Sequence, residues 1–109
     1  MKLLLDENLP KKLKLDFPEH EIYTVSDKSW NSKKNGELLR LMVEENFDAL
    51  LTFDRNLQYQ QNFSKYPIVV LVLNAQDNTY VTLQGLVPLI KKALSTVLSA
   101  GPTVISIQK

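Results

Sequence analysis

Two aspartates directly follow short apolar segments of the sequence. Asp6 comes after the segment 2–5, and Asp54 comes after the segment 48–53. Short apolar runs bounded by polar turns predict buried strands, so both carboxylates are expected at strand ends. Neighbouring carboxylates repel each other unless a cation lies between them or one takes up a proton. Since Mg²⁺ and Mn²⁺ prefer carboxylate and water oxygens, the pair favours a divalent metal site.

A third carboxylate, Glu37, falls in the first turn of the helix predicted after the second strand. That connection starts from the same sheet edge, so Glu37 can approach Asp6 and Asp54. We therefore predict all three as metal ligands and catalytic residues. Structural roles stay open as well, because an acid in a first turn stabilises the helix dipole and each aspartate could cap a helix. The chain has no cysteine and one histidine, which offers little for zinc.

Basic and amide side chains flank these acids. Arg55 and Asn56 follow Asp54, while Lys33 and Lys34 precede the helix that carries Glu37. A guanidinium can hold a phosphate through two hydrogen bonds, and lysines attract a nucleic-acid backbone. We predict these four residues as RNA contacts, with solvated charges and surface ion pairs as the alternative. A divalent ion beside them could activate water and polarise a phosphodiester.

The rest of the sequence predicts the scaffold that places these residues. The expected strands are 2–5, 21–25, 48–53, 68–73 and 103–107, with the last at a sheet edge. The expected helices are 8–17, 35–46, 54–63 and 79–98, with a kink or break at Pro88. This alternation predicts an α/β domain with a parallel sheet, helices on both faces and right-handed crossovers. Ligands bind beyond the carboxyl ends of such strands, where Asp6 and Asp54 are expected.

The composition limits the classes of protein. A chain of 109 residues fits one domain, 1–109, and its 44% hydrophobic content is typical of globular proteins. The lack of cysteine excludes a disulfide scaffold and agrees with a cytoplasmic protein. The apolar runs are far shorter than the roughly 20 residues of a membrane helix, so no membrane partner is expected. The net charge of +1 says little about partners.

Three segments together resemble the DUF5615 group of PIN-like proteins. They are Leu3-Leu4-Leu5-Asp6-Glu7-Asn8-Leu9, Asn35-Gly36-Glu37-Leu38-Leu39 and Leu50-Leu51-Thr52-Phe53-Asp54-Arg55-Asn56-Leu57. The resemblance implies a three-layer PIN-like domain with a central, mainly parallel five-stranded sheet. It also implies a Mg²⁺- or Mn²⁺-dependent ribonuclease in which Asp6 and Asp54 bind the metal. Many PIN proteins are toxins of toxin–antitoxin pairs, so RNA, a small antitoxin protein and a homodimer are the implied partners.

The chain departs from that pattern at two acidic positions. Asn35 stands where related sequences are expected to have an aspartate, and Asn74 stands after the fourth strand, where a fourth acid is common. Asn8, Asn35 and Asn74 are therefore predicted to surround the acids without adding charge. Each missing carboxylate weakens the attraction for a cation. A non-catalytic PIN-like interaction module is accordingly an alternative function.

A phosphoacceptor receiver-like domain is a further alternative. Such a domain also has acids after its first strand and an aspartate after its third, so Asp54 would accept a phosphoryl group beside Mg²⁺. Two positions argue against this function. Asn74 stands where a hydroxyl is needed after the fourth strand, and only the terminal Lys109 follows the fifth.

Overall fold

The computed structural model describes residues 1–55, 66–96 and 99–107. In chain order its elements are β1 (Lys2–Leu5), a 3₁₀ helix (Lys11–Asp16), β2 (Glu21–Thr24), α1 (Asn35–Glu44), β3 (Ala49–Thr52), β4 (Val69–Asn74), α2 (Tyr80–Gln84), α3 (Val87–Leu94) and β5 (Gly101–Ser106). The helix predicted over 54–63 lies outside the described residues from 56 onward. None of the helices in these three ranges is long and apolar enough to cross a bilayer.

The five strands form one parallel sheet in the order β2-β1-β3-β4-β5. The predicted α/β class and the edge position of the last strand are therefore confirmed. Leu5, near the end of β1, is opposite both Thr24 of β2 and Leu51 of β3. The chain leaves β1 in one direction to form β2 and returns on the other side to form β3. This reversal between β1 and β3 is the switch point at which open parallel sheets bind ligands.

The two faces of the sheet bury separate apolar clusters. Because side chains alternate along a strand, Leu3 and Leu5 point to one face and Leu4 to the other. The 3₁₀ helix, α2 and α3 pack on the first face, which we call the 3₁₀ face. α1 packs on the second, which we call the α1 face and which also buries Trp30. The molecule therefore has the three layers that the sequence predicts.

One crossover departs from the expected handedness. The β2–α1–β3 and β4–α2–α3–β5 connections advance in the same direction across the sheet. Their helices nevertheless pack on opposite faces, so the two crossovers have opposite hands. The prediction of uniformly right-handed crossovers is therefore wrong for one of them. The physical reason is burial, because α2 and α3 cover Leu71, Leu73 and Ile105 on the face where, among the described residues, the 3₁₀ helix is the other helix.

Two predicted helices take shorter forms. The segment predicted as a helix over 8–17 contains a 3₁₀ helix that begins after Pro10, and its buried side chains are Leu9, Leu13 and Phe17. The helix predicted over 79–98 is divided into α2 and α3, and Pro88 lies in the first turn of α3. Proline is tolerated there because the first turn lacks intrahelical partners for its N–H groups. The predicted break at Pro88 is confirmed.

Candidate metal centre

The carboxyl ends of β1 and β3 bring Asp6 and Thr52 together. Alternation from Leu4 puts Asp6 on the α1 face, and alternation from Leu50 puts Thr52 on the same face. The Asp6 N–H donates to the Leu51 carbonyl at 3.0 Å, which extends the ladder by one residue. The fully buried Thr52 hydroxyl then donates to Asp6 Oδ2 at 2.7 Å. The sheet register therefore orients the Asp6 carboxylate.

Asp54 joins this pair through the same hydroxyl. The Asp54 backbone N–H donates to Thr52 Oγ1 at 3.0 Å, so one threonine side chain connects the two aspartates. The Asp54 carboxylate is close enough for its charge to raise the pKa of Asp6. The structure thus brings together the two acids that the sequence places at neighbouring strand ends.

The Asp6 carboxyl has a pKa above its ordinary value. Burial is the largest cause, because it removes water from the charged form. Hydrogen bonds from the Thr52 hydroxyl and the Glu7 N–H act in the opposite direction and lower the pKa of Asp6. The negative charges of Asp54 and Glu7 raise it further. A cation between Asp6 and Asp54 would relieve both the repulsion and the loss of hydration.

Asp6 does not serve as the helix cap that the sequence left open. The 3₁₀ helix has Pro10 at its N-cap position, and Asp6 Oδ1 instead accepts the N–H of its neighbour Glu7 at 2.8 Å. For Asp54 the capping alternative concerns a helix predicted over 54–63, which lies outside the described residues from 56 onward. The Asp6 carboxylate is therefore oriented by the Glu7 N–H and the Thr52 hydroxyl, and not by a helix terminus.

Asn8 ties together the loops at this edge. Its Oδ1 accepts the Phe53 N–H at 3.1 Å, which holds the turn after β3. Its backbone carbonyl accepts from Asn78 Nδ2 at 2.8 Å, which holds the loop after β4. Asn8 therefore connects loops at the edge where the acids lie, and its supporting role at the site stays a prediction. Asn78 was missed by sequence reasoning, because it lies 70 residues from Asn8 and belongs to no motif.

Glu37, in the first turn of α1, forms an ion pair with Lys33 of the preceding loop. Its Oε1 lies 3.2 Å from Lys33 Nζ, and both side chains are partly exposed. Lys34 occupies the N-cap position of α1, and Asn35 is the first residue of that helix. In residues 1–55, 66–96 and 99–107, no three acidic, histidine or cysteine side chains form a group that could hold a metal ion. Glu37 therefore does not join Asp6 and Asp54 in this arrangement, and its role as a ligand stays a prediction.

The remaining predicted residues lie around the ends of β3 and β4. Arg55 is exposed, and its Nη2 donates to the Ala75 carbonyl at 3.4 Å. Asn74 is the last residue of β4 and lies opposite Ser106. Asn56 lies outside the described residues. Arg55 therefore extends from the acidic pair to the end of β4, the next strand of the sheet, where Asn74 lies.

Besides Asn78, sequence reasoning missed two further residues of the site. Thr52 was named only within the third segment of the resemblance, although its position two residues before Asp54 was the signal for a hydroxyl between the acids. Glu7 was not selected, yet its Oε1 accepts the Ser32 N–H at 2.7 Å and anchors the loop that carries Lys33. Ser32 has a left-handed backbone with φ of 67°, a conformation that is unfavourable for residues other than glycine, and the hydrogen bond from its N–H helps to hold it.

No family model, curated protein sequence or solved structure matches the chain. Its function is therefore inferred from the geometry of this sheet edge and from the resemblance in its motifs.

Proposed function

We propose that the protein is a Mg²⁺- or Mn²⁺-dependent endoribonuclease of the PIN-like type. The observation that supports this most is the meeting of Asp6 and Asp54 at the switch point of the parallel sheet. Burial and the nearby negative charges raise the pKa of Asp6, an arrangement that a divalent cation would stabilise. Clefts with perturbed carboxylates are the places where functional sites concentrate.

The donor set fits a magnesium-type ion. Asp6 and Asp54 would hold it, and Thr52 with the Glu7 N–H would keep the Asp6 carboxylate in place. Mg²⁺ commonly binds through one or two protein carboxylates and fills its other positions with water and substrate phosphate, so a third acid is not required. When bound, such an ion generates a nucleophilic hydroxide and stabilises the leaving oxygen of a phosphodiester.

RNA is the proposed substrate because basic side chains border the acidic pair. Arg55 follows Asp54 directly, and Lys33 lies in the loop that Glu7 anchors. These cations, with Lys34, would attract the phosphate backbone. The choice of RNA over DNA comes from the resemblance alone. So do the proposals of a cytoplasmic toxin, of a small antitoxin that covers the acidic edge, and of a homodimer.

Cleavage of single-stranded RNA tests this proposal. In Mn²⁺ buffer, Asp6→Asn and Asp54→Asn should each reduce the rate by at least about 100-fold, because each variant loses a charged ligand. Asp48→Asn is the matched control, since Asp48 accepts the Lys2 N–H at the opposite edge of the sheet and asparagine keeps that acceptor. The control should cleave at the wild-type rate. Cleavage that persists in both Asp6→Asn and Asp54→Asn would exclude the proposed roles.

A non-catalytic PIN-like interaction module is the second candidate. It is favoured by the ion pair between Glu37 and Lys33, which leaves two acids at the centre within the described residues. It predicts metal binding without cleavage in the wild-type protein. The receiver-like alternative predicts instead that acetyl phosphate labels Asp54, and it has no support at Asn74, where a hydroxyl is required.

A further inference from the structure

A cavity of about 260 Å³ opens at the carboxyl edge of the sheet, between the ends of β4 and β5 and the helix α2 with the residue Leu86 that follows it. It is lined by Asn74, Ala75, Gln76, Thr82, Leu86 and Ile107. Leu86 is buried at 1% exposure, whereas Ile107 is 57% exposed. A bound group would therefore cover an apolar side chain that is otherwise open to water.

The residues that line the cavity suit a flat, uncharged group that has hydrogen-bonding atoms along its edge. Asn74 and Gln76 supply amide groups that both donate and accept hydrogen bonds, whereas the Thr82 hydroxyl is already hydrogen-bonded to Thr79 and Asp77. Leu86 and Ile107 supply apolar surface. Each of the six lining residues is uncharged, which favours a neutral ring over a phosphate. Unpaired bases of RNA are recognised in this way, through stacking on side chains and hydrogen bonds to their edges.

The size of the cavity limits its occupant. Pockets for drug-sized ligands measure about 300 to 1,000 Å³. The volume of about 260 Å³ lies just below that range, so it suits one base better than a whole nucleotide or a longer segment.

The cavity opens at the same sheet edge as the acidic pair, at the neighbouring strand β4, but Thr82 and Leu86 line it from the 3₁₀ face whereas Asp6 lies on the α1 face. β4 is hydrogen-bonded to β3, and adjacent strands are about 4.8 Å apart. Arg55 bridges the two regions, because it follows Asp54 in the chain and its Nη2 donates to the carbonyl of Ala75 in the cavity wall. Asn78 also connects the two regions, because its side chain donates a hydrogen bond from the loop after β4 to the Asn8 carbonyl. An RNA strand with a phosphate at Asp6 and Asp54 would therefore cross the sheet edge along Arg55 to place a base in the cavity.

From this arrangement we propose that the cavity is a nucleobase site, which takes one unstacked base of single-stranded RNA beside the acidic pair. The site deepens the proposed function and rests on it. It would fix the register of the RNA, so that cleavage occurs at a constant distance from the bound base. Arg55 would hold the intervening phosphate.

Nucleoside 5′-monophosphates test the site without cleavage. We would titrate AMP, GMP, CMP and UMP separately into the full chain in EDTA, and follow the backbone and side-chain amides by ¹H–¹⁵N NMR. At least one should shift the amides of 74–76, 82–86 and 107. Ribose 5-phosphate, which lacks a base, should leave them unchanged. Thr82→Leu, which fills the cavity, and Gln76→Ala, which changes an exposed loop residue, should each weaken binding about tenfold.

Val81→Leu is the matched control, because Val81 is on the same helix, is 78% exposed and lies outside the cavity lining. It should bind as the wild type does. The proposal is overturned if no monophosphate shifts these amides, if ribose 5-phosphate shifts them equally, or if Gln76→Ala and Thr82→Leu both bind like the wild type. Base binding without Mn²⁺-dependent cleavage would support the cavity and count against the nuclease. Cleavage at the same positions in Thr82→Leu and the wild type would count against the cavity alone.

Discussion

Thr52 is the residue on which the geometry of the acidic pair depends most. Its hydroxyl donates to Asp6 and accepts from the Asp54 N–H, so one side chain sets the positions of both. The hydroxyl is fully buried, where such hydrogen bonds are strong and costly to lose. Glu7 adds a second donor to Asp6 through its backbone. The Asp6 carboxylate and the Asp54 backbone are therefore held in place by the protein's own hydrogen bonds.

The raised pKa of Asp6 has a consequence for stability. Folding raises this pKa above 3.8, so the folded chain keeps the proton over a pH range in which the unfolded chain has lost it. The contribution of Asp6 to the free energy of unfolding therefore falls as the pH rises from 3.8 through the raised value. Above that value the loss is complete. A cation that binds the ionised pair would offset it.

Carbon-13 NMR titration of the Asp6 carboxyl checks the causes of this shift. Asp54→Asn should lower the pKa of Asp6, because it removes a neighbouring negative charge. Thr52→Val should raise it, because it removes a hydrogen bond to the charged form. Asp48→Asn, at the opposite edge, should leave it unchanged. An Asp6 pKa that is the same in Asp54→Asn and the wild type would mean that the two carboxylates are not close.

The end of α1 shows how a single residue fixes an element. The Phe47 N–H donates to the Met42 carbonyl at 2.9 Å and the Asn46 N–H to that of Val43 at 3.2 Å, which is the Schellman pattern. Asn46 has the left-handed backbone that this pattern needs, with φ of 63°. Phe47 and Met42 then pack in the same core cluster. Because α1 ends at this point, the chain continues directly into β3, which places Thr52 and Asp54 at the carboxyl end of that strand.

Substitution of Asn46 tests whether its left-handed backbone stabilises the end of α1. Asn46→Ala should destabilise the protein by about 1 kcal/mol, because a β-carbon disfavours the left-handed conformation and alanine lacks the local hydrogen bonds of asparagine. Asn46→Gly is the matched control and should be as stable as the wild type or slightly more so. Urea unfolding measures both. Equal destabilisation by alanine and glycine would show that the left-handed backbone is not the cause.

The strands were the elements that sequence reasoning predicted best. Runs such as Leu3-Leu4-Leu5 and 68–73 lack alternation because they are buried on both faces, and both occur as interior strands of the sheet. The helices were predicted less well. The segment 8–17 has helical spacing at Leu9, Leu13 and Phe17, but its regular part is a 3₁₀ helix over Lys11–Asp16 between Pro10 and Pro18. Local spacing predicted the buried side chains without predicting the type of helix.

The candidate site was predictable to the extent that it follows from topology. Acids at the ends of β1 and β3 meet because those strands are neighbours, and the alternation of elements was enough to expect this. The partners of Glu37 and Asn8 could not be predicted in the same way. Glu37 forms an ion pair with Lys33, four residues before it. Asn78, in the loop after β4, donates a hydrogen bond to the Asn8 carbonyl, in the loop after β1. Such contacts depend on loop conformations that the pattern of apolar residues does not encode.

At the scale of the whole molecule, the sheet order brings the acidic pair and the cavity to one edge. The reversal between β1 and β3 gathers the acidic pair, and β4 adds the cavity beside it. Asn8, Asn78 and Arg55 tie the loops of β1, β3 and β4 to one another. The opposite edge, where Asp48 and Lys2 pair, contributes to stability instead.

The central claim is that Asp6 and Asp54 share a divalent ion, and thermal melting in Mn²⁺ tests it most directly. A ligand at 100 times its Kd stabilises the folded state by about 2.7 kcal/mol, which should raise Tm by roughly 10 °C for a domain of this size. We predict that increase for the wild type and for Asp48→Asn, and its loss in Asp6→Asn and Asp54→Asn. A wild-type Tm that does not change with Mn²⁺, or an equal increase in both aspartate variants, would contradict the claim.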